Sequence, residues 1–140
     1  MNKIVDFNRI GYVAATFEVD ATTQAYLKAN HLNASTGNVD INGLNLGVKL
    51  GTDGKVGFGA STPTAADALL GVIVAYEMDG FCSVQIAGGI DGVPTKEAVT
   101  AGRKALAVND KGEIVAVTGA RETTVAKPST SSNLFASIIL

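Results

Sequence analysis

Apolar and polar side chains alternate with a period of two residues along much of this chain, and glycine-containing turns separate the alternating segments. In residues 11–20, Val13, Ala15 and Phe17 fall on one face, and the same pattern returns in residues 44–50. A β-strand sends successive side chains to opposite faces, so this pattern predicts half-buried strands rather than helices. Several short strands with turns between them predict an all-β protein, either a small β-barrel or a β-sandwich of short antiparallel strands.

Individual strands and hairpins follow from the same pattern. Residues 69–76 are almost continuously apolar and rich in Val and Ile, which predicts a central strand buried on both faces, and residues 81–87 predict the next strand. Glycine-containing turns at residues 52–55 and 109–112 predict two tight hairpins. The apolar C-terminus, residues 134–140, predicts a closing strand that is paired in the sheet or against a partner.

Other segments lack this pattern. Residues 21–38 could form a short helical turn but are expected to be irregular, and the glycine-rich residues 88–94 are expected to break the sheet. Residues 121–133 are polar and are expected to form a loop. We therefore expect residues 1–38 to hold a loosely attached N-terminal arm, the first strand and an irregular segment. Residues 39–140 would form the barrel or sandwich, and the whole chain would make one domain.

Composition excludes several classes of protein. The chain has 140 residues, 46% of them apolar, which is enough for one domain with a hydrophobic core. Its net charge is −2 and it has no basic run, so we expect no nucleic-acid partner. No apolar stretch approaches the roughly 20 residues that span a bilayer, and Asp6 lies where a signal peptide would be apolar, so we expect no membrane association.

Residue counts also limit the chemistry. His31 is the only histidine and Cys82 the only cysteine, which excludes two-histidine metal sites, multi-cysteine zinc sites and internal disulfides. The glycine-rich residues 57–62 match neither the dinucleotide-binding nor the P-loop pattern. We therefore expect no catalytic residue, metal or cofactor. One enzymatic alternative stays open, a small hydrolase whose acids would converge in a pocket; these acids are Glu77, Asp79 and Asp91.

About half of the chain resembles the capsid decoration (cement) proteins of tailed bacteriophages. The resemblance lies in residues 71–88, which with the preceding Leu70 begin as Leu-Gly-Val and later contain Val-Gln-Ile, and in residues 100–117, which contain the hairpin sequence Ala-Gly-Arg-Lys-Ala. The resemblance implies a small β-barrel that binds the outer face of an expanded phage head, commonly as a trimer, and clamps neighbouring capsid subunits. The partner would be the major capsid protein, and the chain would be made in the host cytoplasm and end on the outer surface of the virion.

The N-terminal segment supplies our candidate partner-binding residues, because tyrosine and arginine are common anchors of protein interfaces. These candidates are Phe7, Arg9, Ile10 and Tyr12. The alternative is that Ile10 and Tyr12 simply begin the first strand. Another alternative concerns function: the chain could be a different phage structural β domain, such as a head-fibre base or a tail component.

Overall fold

The computed structural model describes residues 11–77 and 79–140, and within them it contains ten β-strands in two antiparallel five-stranded sheets. The first sheet is made of β1 (Val13–Glu18), β2 (Gly47–Leu50), β3 (Val56–Gly57), β4 (Gly71–Tyr76) and β5 (Phe81–Ala87). The second is made of β6 (Gly89–Pro94), β7 (Gly102–Val108), β8 (Ile114–Ala116), β9 (Glu122–Lys127) and β10 (Phe135–Ile139). Helix α1 (Ala21–Asn30) connects β1 to β2. The prediction of an all-β fold is confirmed.

The two sheets have the same topology. The strand order is β1-β5-β4-β2-β3 in the first sheet and β6-β10-β9-β7-β8 in the second. Adding five to each strand number of the first order gives the second, and every equivalent pair of strands is antiparallel. Residues 11–87 and 89–140 are therefore two versions of one folding unit.

Each sheet curls until its two edge strands meet at one end. The residue that follows β1, Val19, forms a parallel bridge with Val56 of β3, and Asp20 donates its N–H to the Val56 carbonyl at 2.8 Å. The residue that follows β6, Thr95, forms the equivalent parallel bridge with Ile114 of β8. Both sheets are thus curled, and at this end of each sheet its two edge strands are bridged.

One cluster of buried apolar side chains joins the two units. Val72 and Val84 enter it from the first sheet, Leu106 and Ile138 from the second, and Leu27 from α1. Backbone hydrogen bonds also cross between the units, among them one from the Leu69 N–H to the Leu106 carbonyl at 3.0 Å. The two sheets therefore share a core.

Several strands lie where the sequence predicts them. β4 is the middle strand of the first sheet, although only its first half, Gly71 to Ile73, is fully buried. The hairpin β2–β3 closes through the bond from the Gly51 N–H to the Lys55 carbonyl at 2.8 Å, and β7 and β8 form the second predicted hairpin. The C-terminal strand β10 lies between β6 and β9, so the apolar C-terminus is paired within the protein's own sheet.

The expectation that residues 21–38 are irregular is wrong for their first part. Asp20 caps α1, because its Oδ1 accepts a hydrogen bond from the Thr23 N–H at 2.7 Å. The helix then buries Leu27 completely. An N-terminal cap and one buried apolar face stabilise a ten-residue helix that intrinsic propensity alone leaves marginal.

The expectation that residues 88–94 break the sheet is also wrong, since β6 pairs with β10 there. Gly88 and Gly92 adopt positive φ angles of 94° and 71°, and a register shift in β10 absorbs the irregularity. Ile90 and Val93 point into the core. The glycines thus bend this strand rather than end it.

The expectation that residues 121–133 form a loop is wrong for their first half, which contains the interior strand β9. Its alternating buried residues are Thr123, 7% exposed, and Val125, 1% exposed. Threonine is β-branched and fits a pleated strand, although its hydroxyl makes the segment look polar.

Candidate interaction surface

The predicted partner-binding residues lie at the start of the chain. Phe7, Arg9 and Ile10 lie outside the described residues. Tyr12 is 45% exposed and immediately precedes β1, which begins at Val13. Tyr12 therefore lies directly before the first strand of the first sheet.

Tyr12 lines a groove of about 660 Å³ on the first sheet, near the start of the second. Val74 and Ala75 of β4 and Ser83 of β5 form part of its floor, and Ile90 of β6 contributes from the second sheet. The groove is open to solvent and mixes apolar with polar side chains, which suits a contact with an extended polypeptide better than enclosure of a small molecule.

Two amide side chains of this groove hold the junction between the sheets. Gln85, which is 4% exposed, donates its Nε2 to the carbonyls of Ala87 and Gly89, each at 3.1 Å. Asn45 donates its Nδ2 to the Asp91 carbonyl at 2.8 Å. Because these amide donors already bind backbone oxygens of the protein, they fix the shape of the groove.

A second groove of about 280 Å³ presents exposed apolar side chains. Leu44 and Phe135 are 40% and 54% exposed and line it together with Pro94. Tyr26 and His31 form another wall, with their ring centroids 6.0 Å apart. The sequence does not predict this groove, because its residues come from distant segments of the chain. The one signal for it is the outward position of Phe135 in an alternating strand.

Two of the three candidate acids, Asp79 and Asp91, make structural contacts. The Oδ1 of Asp79 accepts a hydrogen bond from the Phe81 N–H at 3.2 Å in the β4–β5 turn, which also contains Glu77. Asp91 accepts a hydrogen bond from the Ser137 hydroxyl and lies 3.8 Å from the Nζ of Lys127. These contacts are typical of turn and strand residues.

Cys82 belongs to the core. Its side chain is fully buried, and burial raises the pKa of its thiol to about 11. The thiolate is the reactive form of cysteine, so this thiol is a poor nucleophile at neutral pH. Cys82 and Val84, two positions apart in β5, are both fully buried.

Lys49 and Asp67 form a partly buried ion pair beside the 3₁₀ helix (Ala65–Asp67), with the Lys49 Nζ 2.8 Å from Oδ1. Burial raises the pKa of Asp67, but hydrogen bonds from Lys49 and the Thr64 N–H, together with the Lys49 charge, outweigh it and hold the pKa below its usual value. The pair joins β2 to the segment before β4, so its role is structural.

Residues 11–77 and 79–140 contain no group of three or more His, Cys, Asp or Glu side chains that could hold a metal ion. In the same residues no helix is long and apolar enough to cross a bilayer.

Comparisons with protein-family models, with curated proteins and with solved structures found no match.

Proposed function

We propose that this chain is a non-enzymatic structural protein that binds the outer surface of an assembled phage capsid and stabilises it by bridging neighbouring capsid subunits. The proposal begins from the resemblance of residues 71–88 and 100–117 to capsid decoration proteins. Those residues form β4 and β5 of the first sheet and β7 and β8 of the second. The resemblance thus covers one pair of neighbouring strands in each sheet: β4 and β5 in the first, and the hairpin β7–β8 in the second.

The exposed position of Tyr12 is the observation that best supports the proposal. Tyr12 has a large, amphipathic side chain that lines a groove, and it is close in sequence to the candidates Phe7, Arg9 and Ile10. Tyrosine gives a large contact area at low entropic cost, and it is enriched in the residues that dominate binding energy. In this proposal the major capsid protein contacts Tyr12 together with Phe7, Arg9 and Ile10.

A binding protein of this kind stabilises the assembled state by mass action. A chain that binds the expanded shell more tightly than the unexpanded shell shifts the equilibrium toward the expanded shell. Many copies act in parallel, so each contact can be modest. The proposal includes association of several copies, commonly three in the proteins that the chain resembles, and it needs neither metal nor cofactor.

The test is quantitative co-sedimentation of the purified protein with empty expanded heads, and with unexpanded procapsids, of the phage that carries its gene. We expect saturable binding to expanded heads at a fixed ratio to the major capsid protein, and weak or no binding to procapsids. Absence of binding to both shells would contradict the proposal and favour the head-fibre or tail alternatives.

A pair of variants locates the contact. Tyr12→Ala should weaken binding to expanded heads about tenfold or more, the usual loss for an interface anchor. Phe81→Ala is the matched control: Phe81 is also an exposed aromatic residue, 40% exposed, but it pairs with Glu18 at the opposite end of β1. Equal losses from both variants would contradict the assignment of Tyr12.

A further inference from the structure

The edge strands of the two sheets differ in how their outer sides are covered. The sheets have four edge strands in the described residues: β1, β3, β6 and β8. β3 has two residues and is bridged by Val19, and β8 has three and is bridged by Thr95, with the Lys96 N–H bound to the Ile114 carbonyl at 3.1 Å. Both are short and partly paired, which protects an edge from further pairing.

The edge of β6 is blocked by side chains. Three of its carbonyls accept hydrogen bonds from amide groups: Gly89 from Gln85, and Asp91 and Gly92 from Asn45. Pro94 has no N–H to offer to another strand. β6 occupies in the second sheet the position that β1 occupies in the first. The backbone carbonyls of the two equivalent edge strands therefore differ in whether side chains bind them.

β1 has none of these protections over most of its length. It spans six residues and pairs only with β5 among the described strands. Val13 is 51% exposed, and Ala14 and Thr16 are also exposed. Its first charged side chain is Glu18, which lies 3.6 Å from the Nζ of Lys55. Because alternate N–H and C=O groups of a strand point to each side, β1 presents on its outer side backbone groups that no described residue pairs, beside an uncharged surface.

We propose that β1 pairs antiparallel with β1 of a second copy of this chain, about a two-fold axis at Thr16, so that the two first sheets become one continuous sheet. In this register Ala14 lies opposite Glu18 of the second copy, and Ala15 lies opposite Phe17. The two Thr16 side chains face each other. The pairing therefore uses the regular part of β1, beyond the register shift at Val13 and Ala14.

A second copy fits this edge for two reasons. No two like charges face each other in this register, and facing threonines are a favourable cross-strand pair. In addition, β1 is the one long open edge in the described part of each copy, so it can find an equivalent open edge only on another β1. Such an isologous contact closes after two copies and leaves no edge for fibre growth. This inference concerns the free chain in solution and does not rest on the proposed capsid role, in which the copies associate on the shell.

The first test is the molar mass of the intact chain in solution, measured by sedimentation equilibrium over a wide concentration range. We expect a reversible equilibrium between the 14.3 kDa monomer and a species of twice that mass. A chain that stays monomeric at all concentrations would overturn the proposal, and so would a trimer without a dimer, because a three-fold axis cannot pair β1 with itself.

Charge at the edge tests where the contact lies. Thr16→Lys places two like charges opposite each other at the two-fold axis and should raise the dimer dissociation constant about tenfold or more. Thr118→Lys is the matched control, since it changes the same residue type at an exposed position just after the edge strand β8. Circular dichroism and thermal unfolding check that both variants fold. A dimer unaffected by Thr16→Lys contradicts the proposal.

A cross-link tests the register. Facing residues in antiparallel strands have Cα atoms about 4.5–5.5 Å apart, within the range of a disulfide. Thr16→Cys should therefore form an intermolecular disulfide under mild oxidation, whereas Thr118→Cys should not. The same cross-linking measurement on a chain without residues 1–10 tests whether the N-terminal segment occupies this edge instead. A dimer that forms only after that deletion would mean that the N-terminal segment covers β1, which contradicts the proposal.

Discussion

The Nζ of Lys49 lies 2.8 Å from the Oδ1 of Asp67, and this ion pair connects β2 with the 3₁₀ helix that precedes β4. The Oδ2 of Asp67 also accepts the Thr64 N–H at 3.2 Å. A largely buried carboxylate thus has partners on both oxygens, and its loss would leave Lys49 without its partner carboxylate.

We predict that Asp67→Asn lowers the free energy of unfolding by about 1–3 kcal/mol at pH 7, because an amide cannot replace a charge-assisted hydrogen bond from Lys49. Urea unfolding measures it. The folded-state pKa of Asp67 is lowered, so this stabilisation is present above the unfolded-state pKa and is lost as the pH falls through the folded-state value. The difference between wild type and Asp67→Asn should shrink below about pH 4.

The exposed Asp110 supplies the control for this prediction. Asp110→Asn removes the same charge from the turn between β7 and β8 and should change stability by less than about 0.5 kcal/mol. If the difference between Asp67→Asn and wild type persists unchanged at pH 2, the ion pair is not its source.

Asn109 organises the β7–β8 turn from a buried position. Its Oδ1 accepts the N–H groups of Lys111 and Glu113, and its Nδ2 donates to the Glu113 carboxylate, all at 2.9 Å. Asn109→Ala leaves these groups unsatisfied and should cost about 1–3 kcal/mol in urea unfolding. The exposed Lys111→Ala keeps the turn and should cost far less, so comparable losses would contradict this account.

Gly59 lies against the second folding unit. Its N–H donates to the Asn109 carbonyl at 3.0 Å, and a Cβ there would overlap the Val108 carbonyl oxygen and meet the Asp67 side chain. Gly59→Ala should therefore destabilise the protein by about 3 kcal/mol or more. Gly54→Ala is the comparison, because Gly54 has open space and only its positive φ of 81° opposes a side chain; it should cost about 1 kcal/mol. Unfolding by urea measures both, and equal costs would argue against a close contact at Gly59.

Cys82 should be almost unreactive in the folded protein. Its side chain is fully buried and burial raises its pKa to about 11, so a thiol reagent at pH 8 should modify it only as fast as the protein opens. An added thiol at the exposed Ala116, in the variant Ala116→Cys, should react within the mixing time of a hand assay. Equally fast modification of Cys82 in the native protein would show that β5 is not packed as described.

Period-two alternation predicted the strands whose apolar residues are Val, Ile and Leu, because burial of one face of a strand places an apolar residue at every second position of the sequence. It failed at β9, where Thr123 takes a buried position, and at β6, where glycines bend a paired strand. It also missed α1, since a cap at Asp20 and the burial of Leu27 matter there more than periodicity.

The shared topology of the two sheets was not predictable from the strand sequences. Equivalent strands have different compositions: β4 reads GVIVAY and β9 reads ETTVAK. What they share is their place between neighbours, which depends on pairing across the chain. The same holds for the groove at Leu44 and Phe135, whose residues meet only through the fold.

The temperature at which expanded heads rupture, measured with and without saturating amounts of this protein, shows whether the chain stabilises the shell. If the chain bridges neighbouring capsid subunits, saturated heads should rupture at a clearly higher temperature, with the shift growing as the sites fill. Heads that bind the protein at a fixed ratio but rupture at an unchanged temperature would contradict a stabilising role.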